Sequence, residues 1–326
     1  MRRFLGVLIA VTILLCTFSV WGYRDSVVIC HSMELVRGEM LQEQLQDKFP
    51  DKNIIVSPMT TGKAAAKIMA EKESTEIDIV VAMEIGYMNK LKEEFADISD
   101  ISNIPYLDSF TPDKNGNKWI TWDMFAGAIL VNEDILRKND LPSPTCYEDL
   151  LKPEYQGMIA MPDPKSSGTG YLFYKSWVNS WGEERTIKFV DALHRNLKAL
   201  TESGSGPIKM LKQGEVAIGL GMIFQAVSEI NCGQPLKIIF PETGVPYSLT
   251  GAGIIKGKET NADVMEVFDF IANDFIIYDK ENYLPDKIYQ DQVNRIPNYP
   301  QNIPYADMTG IQDDAEKERL LKLWKY

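Results

Sequence analysis

The most constraining feature of this sequence is a regular alternation of short strand-like runs and segments with helical spacing, which begins at Asp25. Strand-like runs at residues 26–30, 53–57 and 77–82 alternate with helical patterns at 34–48, 64–72 and 85–94. The strand-like runs lack the regular polar alternation of a half-exposed sheet, which indicates strands covered on both faces. This alternation predicts a layered α/β domain.

A second series of the same kind follows a long β-prone segment at residues 119–132, which we expect to cross between two lobes. Strands are predicted at 158–161, 217–220 and 249–255, and helices at 169–181, 183–196, 208–213, 262–275 and 313–325. Residues 237–240 are predicted to form the return crossing. A chain of 326 residues is long for one core, and we expect two lobes. The predicted boundaries are 23–122 with 245–326 for lobe 1 and 123–244 for lobe 2.

The N-terminus has the composition of an export signal. Two arginines, Arg2 and Arg3, precede an apolar run over residues 4–20 that ends in small residues. This pattern predicts a signal peptide over residues 1–22, with cleavage after Gly22 and a periplasmic or extracellular location. Two alternatives stay open, since the run is nearly long enough for an uncleaved membrane anchor and Cys16 raises the question of lipidation.

Charge and cysteine content exclude several functions. The formal net charge is −12, and loss of the two arginines with the signal makes it −14, so nucleic acid is not an expected partner. Three cysteines remain, Cys30, Cys146 and Cys232, without the paired spacing of a zinc site, and we expect three buried thiols. No metal or cofactor is predicted. The motifs of serine hydrolases, zinc proteases and nucleotide-binding loops are missing, so we do not expect an enzyme.

Small polar residues are concentrated where predicted strands give way to predicted helices. In open α/β sheets ligands bind beyond the carboxyl ends of the strands, where such loops meet. Helix N-termini at that edge offer free N–H groups, and hydroxyl side chains add further donors, so the pattern predicts an anion site. The same residues could serve only as helix caps or turns. The candidate ligand-binding residues are His31, Ser32, Thr60, Thr61, Gly62, Glu84, Ser166, Ser167, Gly168, Thr169, Ser203, Gly204, Ser205 and Gln225.

Residues 144–164, PTCYEDLLKPEYQGMIAMPDP, resemble a stretch found in solute-binding proteins of ABC importers, and residues 166–171, 203–207 and 214–219 continue the likeness. The sequence is similar to the branch that includes ferric-iron, phosphonate, hexose-phosphate and thiamine binders. The resemblance implies a two-lobed periplasmic binding protein with two hinge crossings. It also implies lobes that close on a small-molecule ligand, docking on an ABC permease in the membrane, and a monomer.

The resemblance leaves the ligand open. Ferric-binding members carry two adjacent tyrosines just after the strand that corresponds to residues 217–220, whereas residues 221–226 here read GMIFQA. Fe(III) favours anionic oxygen donors, and Phe224 and Gln225 supply none, so the sequence disfavours iron. The serine, threonine and glycine loops instead resemble those of anion binders, and we expect a phosphorus oxyanion, either a phosphonate or a sugar phosphate. His31 and Glu84 would fit iron-ligand positions of some members, while Glu84 and Gln225 suit an amine or hydroxyl of another ligand. Ferric iron or its chelate, thiamine, a polyamine and a sensor role remain alternatives.

Overall fold

The computed structural model describes residues 26–99 and 101–326. The predicted signal peptide over residues 1–22 and Cys16 lie outside the described residues. In the part of the chain that is described, no helix is both long and apolar enough to cross a membrane.

The described chain alternates strands and helices, as the sequence predicts. The strands are β1 (Ser26–His31), β2 (Asn53–Pro58), β3 (Ile79–Glu84), β4 (Ile120–Asn132), β5 (Ile159–Pro162), β6 (Leu197–Thr201), β7 (Ile218–Met222), β8 (Leu236–Ile239) and β9 (Tyr247–Ile254). The α-helices are α1 (Leu35–Lys48), α2 (Thr61–Glu71), α3 (Ile85–Lys90), α4 (Glu133–Lys138), α5 (Gly168–Trp181), α6 (Glu183–Leu193), α7 (Gly206–Lys212), α8 (Ile223–Asn231), α9 (Ala262–Phe270), α10 (Ile276–Asn282) and α11 (Asp314–Leu323). A π-helical turn, Ile271–Phe275, joins α9 to α10.

The strands follow the order β2-β1-β3-β9-β4-β7-β5-β6, and β8 pairs with β4 outside this path. Strand β1 runs parallel to β2 and β3, and β5 runs parallel to β6 and β7. The long strand β4 joins the two groups. Its first part, from Ile120 to Ala126, pairs with β9, and its second part, from Gly127 to Val131, pairs with β7. The predicted crossing at residues 119–132 is therefore confirmed.

The return crossing lies elsewhere than predicted. Residues 237–240 were expected to lead back to the first half, but β8 pairs with the second part of β4, from Ile129 to Asn132. The return is made by β9, which lies antiparallel to both β3 and the first part of β4. A strand does lie at this place, Leu236–Ile239, but the choice of its partner depends on contacts distant in sequence.

Separate apolar cores cover the two halves of the sheet. Around β1, β3 and β9, buried side chains pack on both faces, with Trp122 and Phe275 in one core and Trp119 in the other. Around β5 and β7, one core contains Trp177, and it also takes Leu320 and Trp324 from the C-terminal helix and the residues after it. The sequence placed residues 245–326 with lobe 1, whereas Leu320 of the C-terminal helix and Trp324 after it pack on the second half. The lobe boundaries otherwise stay a prediction.

The three cysteines of the described chain are free thiols, as expected. Their predicted burial is only partly right. Cys30 is buried in β1, and burial raises the pKa of its thiol to about 11, but Cys146 is half-buried and Cys232 is exposed. Cys232 follows the last turn of α8, where the apolar face of the helix no longer covers the chain.

Candidate functional site

Two adjoining cavities open between the first and second halves of the sheet. The central cavity has a volume of about 300 Å³ and is lined by residues of both halves, among them Glu84, Asp123 and Gln225. The hydroxyl cavity, about 640 Å³, is lined mainly by the serine, threonine and glycine loops. Ser32 and Thr61 line both cavities, so the two form one continuous cleft.

All the predicted ligand residues except His31 line this cleft. The loops after β2, β5 and β6 contribute to the hydroxyl cavity, and the first turn of α8, directly after β7, brings Gln225 into the central cavity. The residues that line one or both cavities are Ser32, Thr60, Thr61, Gly62, Glu84, Ser166, Ser167, Gly168, Thr169, Ser203, Gly204, Ser205 and Gln225. The structure thus brings these side chains together, while their contact with a ligand stays a prediction.

His31 faces away from the cleft. Its ring is 2% exposed and packs against Gly38 of α1, so closely that a Cβ on that glycine would lie 2.2 Å from the ring. The side chain lines a separate hollow beside α1 and β2. Burial lowers the pKa of the imidazole, and nearby Arg37 lowers it further. Because side chains alternate along a strand, Ser32 points toward the cleft where His31 does not, and His31 is not part of the candidate site.

Two long helices begin at the hydroxyl cavity, one from each half of the molecule. Helix α2 has Thr60 as its N-cap and α5 has Ser167, yet neither side chain caps its helix. The first N–H groups of both helices are therefore without a side-chain partner from the cap residue, and the two hydroxyls are free of that task. The sequence also allowed the interpretation that these residues serve only as helix caps. The observed geometry gives no support to it at Thr60 or Ser167.

The two loops of the second half lie against each other. A Cβ added to Gly204 would lie 2.3 Å from Thr169 Oγ1, so glycine is needed for this close approach. Ser203 Oγ and Ser205 Oγ are 3.3 Å apart. The approach gathers four hydroxyl-bearing residues, including Ser167, on one wall of the cleft.

Carboxylates line the centre of the cleft, in contrast to the hydroxyl groups of the hydroxyl cavity. Glu84 ends β3 and accepts a hydrogen bond from Ser248 Oγ at 3.2 Å. Burial raises the pKa of the Glu84 carboxyl above its usual value, although the backbone at Gly86 and the charge of Lys317 oppose this effect. Asp123 of β4 accepts a hydrogen bond from Thr250 Oγ1 at 2.6 Å. Both carboxylates can accept hydrogen bonds from hydroxyl or amine groups of a ligand.

Arg37 is the buried cation beside this cleft, and its charge is already balanced. Its guanidinium donates to both oxygens of Asp279, at 2.8 and 2.6 Å, and to Asp123 at 2.9 Å. Burial opposes the charged form, but Asp279 and Asp123 raise the pKa of Arg37 well above its usual value. Lys280 Nζ lies 2.7 Å from Asp279. Despite burial, Arg37 and Lys280 lower the pKa of Asp279 to about 2. This network positions Asp123 rather than offering a free positive charge.

Sequence reasoning missed several residues of the cleft. Arg37 lies in the first turn of a helical pattern and Asp123 in a β-prone run, and neither directly follows a strand end as the predicted residues do. Phe125 and Thr250 also line the central cavity. A charged residue inside an apolar strand, as Asp123 is, was the one available signal.

A family model described as bacterial extracellular solute-binding protein matches residues 74–314. The chain belongs to this family. An uncharacterized protein of Haemophilus influenzae is 29% identical over 221 residues, which cover 64% of this chain and 61% of that protein. The spermidine/putrescine-binding periplasmic protein of Escherichia coli K12 is 24% identical over 219 residues, covering 63% of this chain. This chain thus spans about 61% of the length of these curated relatives.

Solved structures of periplasmic binding proteins share the fold. The periplasmic binding protein P5PA superposes with a TM-score of 0.76 at 22% identity, over 92% of this chain and 98% of that one. AfuA from Actinobacillus pleuropneumoniae, with fructose-6-phosphate bound, gives 0.77 at 24% identity over the same shares. The apo ferric ion-binding protein A of Pasteurella haemolytica gives 0.74 at 16% identity, over 92% and 96%. The fold is therefore that of the two-lobed periplasmic binding proteins.

The junction of β7 and α8 is the position at which ferric-binding members are expected to carry their tyrosine pair. Phe224 and Gln225 line the cleft there, and neither supplies an anionic oxygen. Among the residues the structure describes, no group of three or more His, Cys, Asp or Glu side chains is arranged to hold a metal ion.

Proposed function

We propose that this protein is the ligand-binding component of an ABC importer. It captures a small molecule with a phosphorus oxyanion between its two lobes and delivers the molecule to a membrane permease, without chemical change. The observation that carries the proposal is the convergence of hydroxyl-bearing loops from both halves of the molecule on one cleft.

The hydroxyl cavity has the chemistry that a phosphate or phosphonate group needs. Phosphate oxygens accept hydrogen bonds from hydroxyls and from free N–H groups at helix N-termini such as those of α2 and α5. Each hydrogen bond to a charged group contributes about 1.5 to 3 kcal/mol. Lys165 and Lys317 also line this cavity, but so do Glu84 and Glu202, so the N–H and hydroxyl donors rather than net charge favour the oxyanion.

The central cavity narrows the ligand further. Glu84 would repel a bare phosphate ion, whereas the charge of Asp123 is balanced by Arg37, and both carboxylates can accept hydrogen bonds from hydroxyl or amine groups next to the phosphate. A sugar phosphate or a hydroxylated or amino phosphonate therefore fits the cleft better than inorganic phosphate. The bound fructose-6-phosphate of AfuA, a protein of the same fold, is consistent with this class of ligand.

A polyamine is the second candidate. Glu84 would attract an ammonium group, and the named curated relatives bind spermidine and putrescine. The hydroxyl cavity argues against this candidate, since the N–H groups at the helix N-termini suit an anion rather than a cation.

Thermal unfolding with alanine variants tests the proposal. We expect glucose 6-phosphate or 2-aminoethylphosphonate to raise the melting temperature more than spermidine, thiamine or ferric citrate does. A ligand at 100 times its dissociation constant adds about 2.7 kcal/mol of apparent stability. Replacing Thr61, Ser167 and Ser203 singly by alanine removes donors to the oxyanion, and each should weaken binding about tenfold while leaving the melting temperature of the free protein nearly unchanged.

Ser180→Ala is the matched control, because Ser180 is an exposed serine at the far end of α5. It should bind as the parent protein does. Unchanged affinity in all three cleft variants, or the largest thermal shift with spermidine, would contradict the oxyanion proposal. A coloured charge-transfer band with ferric salts would contradict it in favour of iron.

A further inference from the structure

A third cavity extends the cleft on one side and has no part in the proposed oxyanion site. This lateral cavity has a volume of about 590 Å³. It lies between the start of α1 and the end of α10 in the first half and helix α8 in the second half. Phe224, Gln225, Ser205 and Leu284 line both the lateral and the central cavity, so a ligand can extend from one into the other.

The walls of the lateral cavity differ in chemistry from those of the hydroxyl cavity. Phe224, Tyr283 and Tyr299 present aromatic rings, and Ile208 and Ile296 add aliphatic surface. An apolar cavity binds apolar groups because both surfaces leave water, and aromatic walls favour an aromatic ring in edge or offset contact.

The charged residues in the lateral cavity have partners within the protein. Glu34 pairs with Arg37 at 3.0 Å, and Arg37 is also held by Asp279. Glu229 pairs with Lys212 at 2.8 Å. Because these charges are balanced internally, the cavity suits a neutral group rather than a second phosphate or an ammonium group.

Gln225 marks the junction of the two cavities. Its Oε1 atom is buried, and among the residues that the structure describes it has no hydrogen-bond partner. A buried acceptor without a partner is unfavourable, so a ligand gains affinity if rotation of the half-buried Gln225 side chain brings Oε1 to an N–H or O–H group of the ligand.

We propose that the ligand joins its oxyanion to an apolar, aromatic group that occupies the lateral cavity, with a hydrogen-bond donor facing Gln225. This inference rests on the proposed oxyanion function and narrows its ligand class. The phosphate or phosphonate binds in the hydroxyl cavity, the donor group lies near Gln225, Glu84 and Asp123, and the ring packs between Phe224 and Tyr283. A fully hydroxylated sugar would leave these aromatic walls without an apolar partner.

Isothermal titration calorimetry with phosphate esters that differ in the group attached to the phosphate tests this inference. We expect two aryl phosphates, 2-hydroxy-3-phenylpropyl phosphate and its 2-naphthyl analogue, to bind at least tenfold more tightly than glucose 6-phosphate and glycerol 3-phosphate, because each carries a hydroxyl donor for Gln225 between its phosphate and its ring. Ser228→Trp should fill the lateral cavity from its exposed position on α8, and Tyr283→Ala should remove one wall. Each variant should abolish the tenfold preference for aryl phosphates and leave the affinity for glycerol 3-phosphate within twofold.

Tyr326→Ala is the control, since Tyr326 stacks on His194 and lines none of the three cavities. Thermal unfolding of each variant establishes that it is folded. If glucose 6-phosphate binds more tightly than both aryl phosphates, or if the two variants keep the preference, the inference is wrong and the oxyanion function stands. If no phosphate ester binds at all, both fail.

Discussion

At the scale of single residues, a buried carboxyl group determines how stability responds to pH. Asp286 is 3% exposed and accepts hydrogen bonds from the hydroxyls of Tyr299 and Tyr305. Burial raises the pKa of its carboxyl to about 6; the two tyrosine hydroxyls and Lys280 oppose this rise, and Asp123 adds to it. Asp286 therefore holds its proton in the folded protein at pH values where an unfolded chain has lost it.

This difference gives a pH-dependent contribution of known sign. An unfolded aspartate has a pKa of about 3.9, so between about pH 4 and pH 6 the folded state binds more protons, and stability falls as pH rises. Two pKa units correspond to about 3 kcal/mol. Asp286→Asn cannot ionise. We expect the free energy of unfolding of the parent protein, relative to this variant, to fall by about 2 to 3 kcal/mol from pH 4 to pH 7. A pH-independent difference in urea denaturation would contradict this assignment.

Arg37 is a buried charge whose partners are also buried. Its guanidinium bridges Asp279 and Asp123, and removal of one partner from a buried network leaves the other charges uncompensated. We expect Arg37→Met to lower the free energy of unfolding at pH 7 by about 3 to 5 kcal/mol. Arg137→Met, which removes an exposed pair with Asp134, should change it by less than about 1 kcal/mol. Urea denaturation of both variants measures the contrast, and equal effects would show that burial of the network does not matter.

At the scale of elements, the start of α5 depends on a close approach of backbone to backbone. A Cβ on Gly170 would lie 2.5 Å from the carbonyl oxygen of Pro162, which ends β5 and cannot move aside as a flexible side chain can. This packing of helix against strand positions Ser167 and Thr169 at the cleft.

We therefore expect Gly170→Ala to lower the free energy of unfolding by about 1 to 3 kcal/mol, since the added methyl group forces the helix away from the strand. Gly168→Ala is a matched control in the same helix, because a Cβ there meets nothing within 4 Å. Thermal and urea denaturation compare the two. A Gly168→Ala variant as unstable as Gly170→Ala would show that glycine flexibility, rather than close packing, is what the loop requires.

The elements also show what the sequence can and cannot predict. Runs such as β1 and β3 were predicted because buried strands in an α/β protein are apolar along their length. The partner of β8 was mispredicted, since local residues do not encode which strand a run will join. Helix α2 begins at Thr61, whereas the sequence predicted a start at residue 64. The prediction was late because threonine and glycine have low helix propensity, although both are suited to the N-terminus of a helix.

The candidate site divides in the same way. The serine and threonine loops could be located because they follow strands whose carboxyl ends meet at one edge. Arg37 could not, since it pairs with Asp279 across 242 residues of sequence. The orientation of His31 was also beyond reach, because a shift of one residue along a strand moves a side chain to the opposite face.

At the scale of the whole molecule, function depends on two halves that share one sheet path through β4 and β9. The hydroxyl loops of both halves meet at the cleft, so a ligand that bonds to both stabilises a closed arrangement over an open one. We propose that this ligand is a phosphorus oxyanion.

Native mass spectrometry under competition tests that claim most directly. The purified protein is incubated with equal concentrations of glucose 6-phosphate, phenyl phosphate, spermidine and ferric citrate. The hydroxyl and N–H donors of the cleft predict that a phosphate ester forms the dominant one-to-one complex. A dominant complex with spermidine or iron, or no complex with any of the four, would contradict the account.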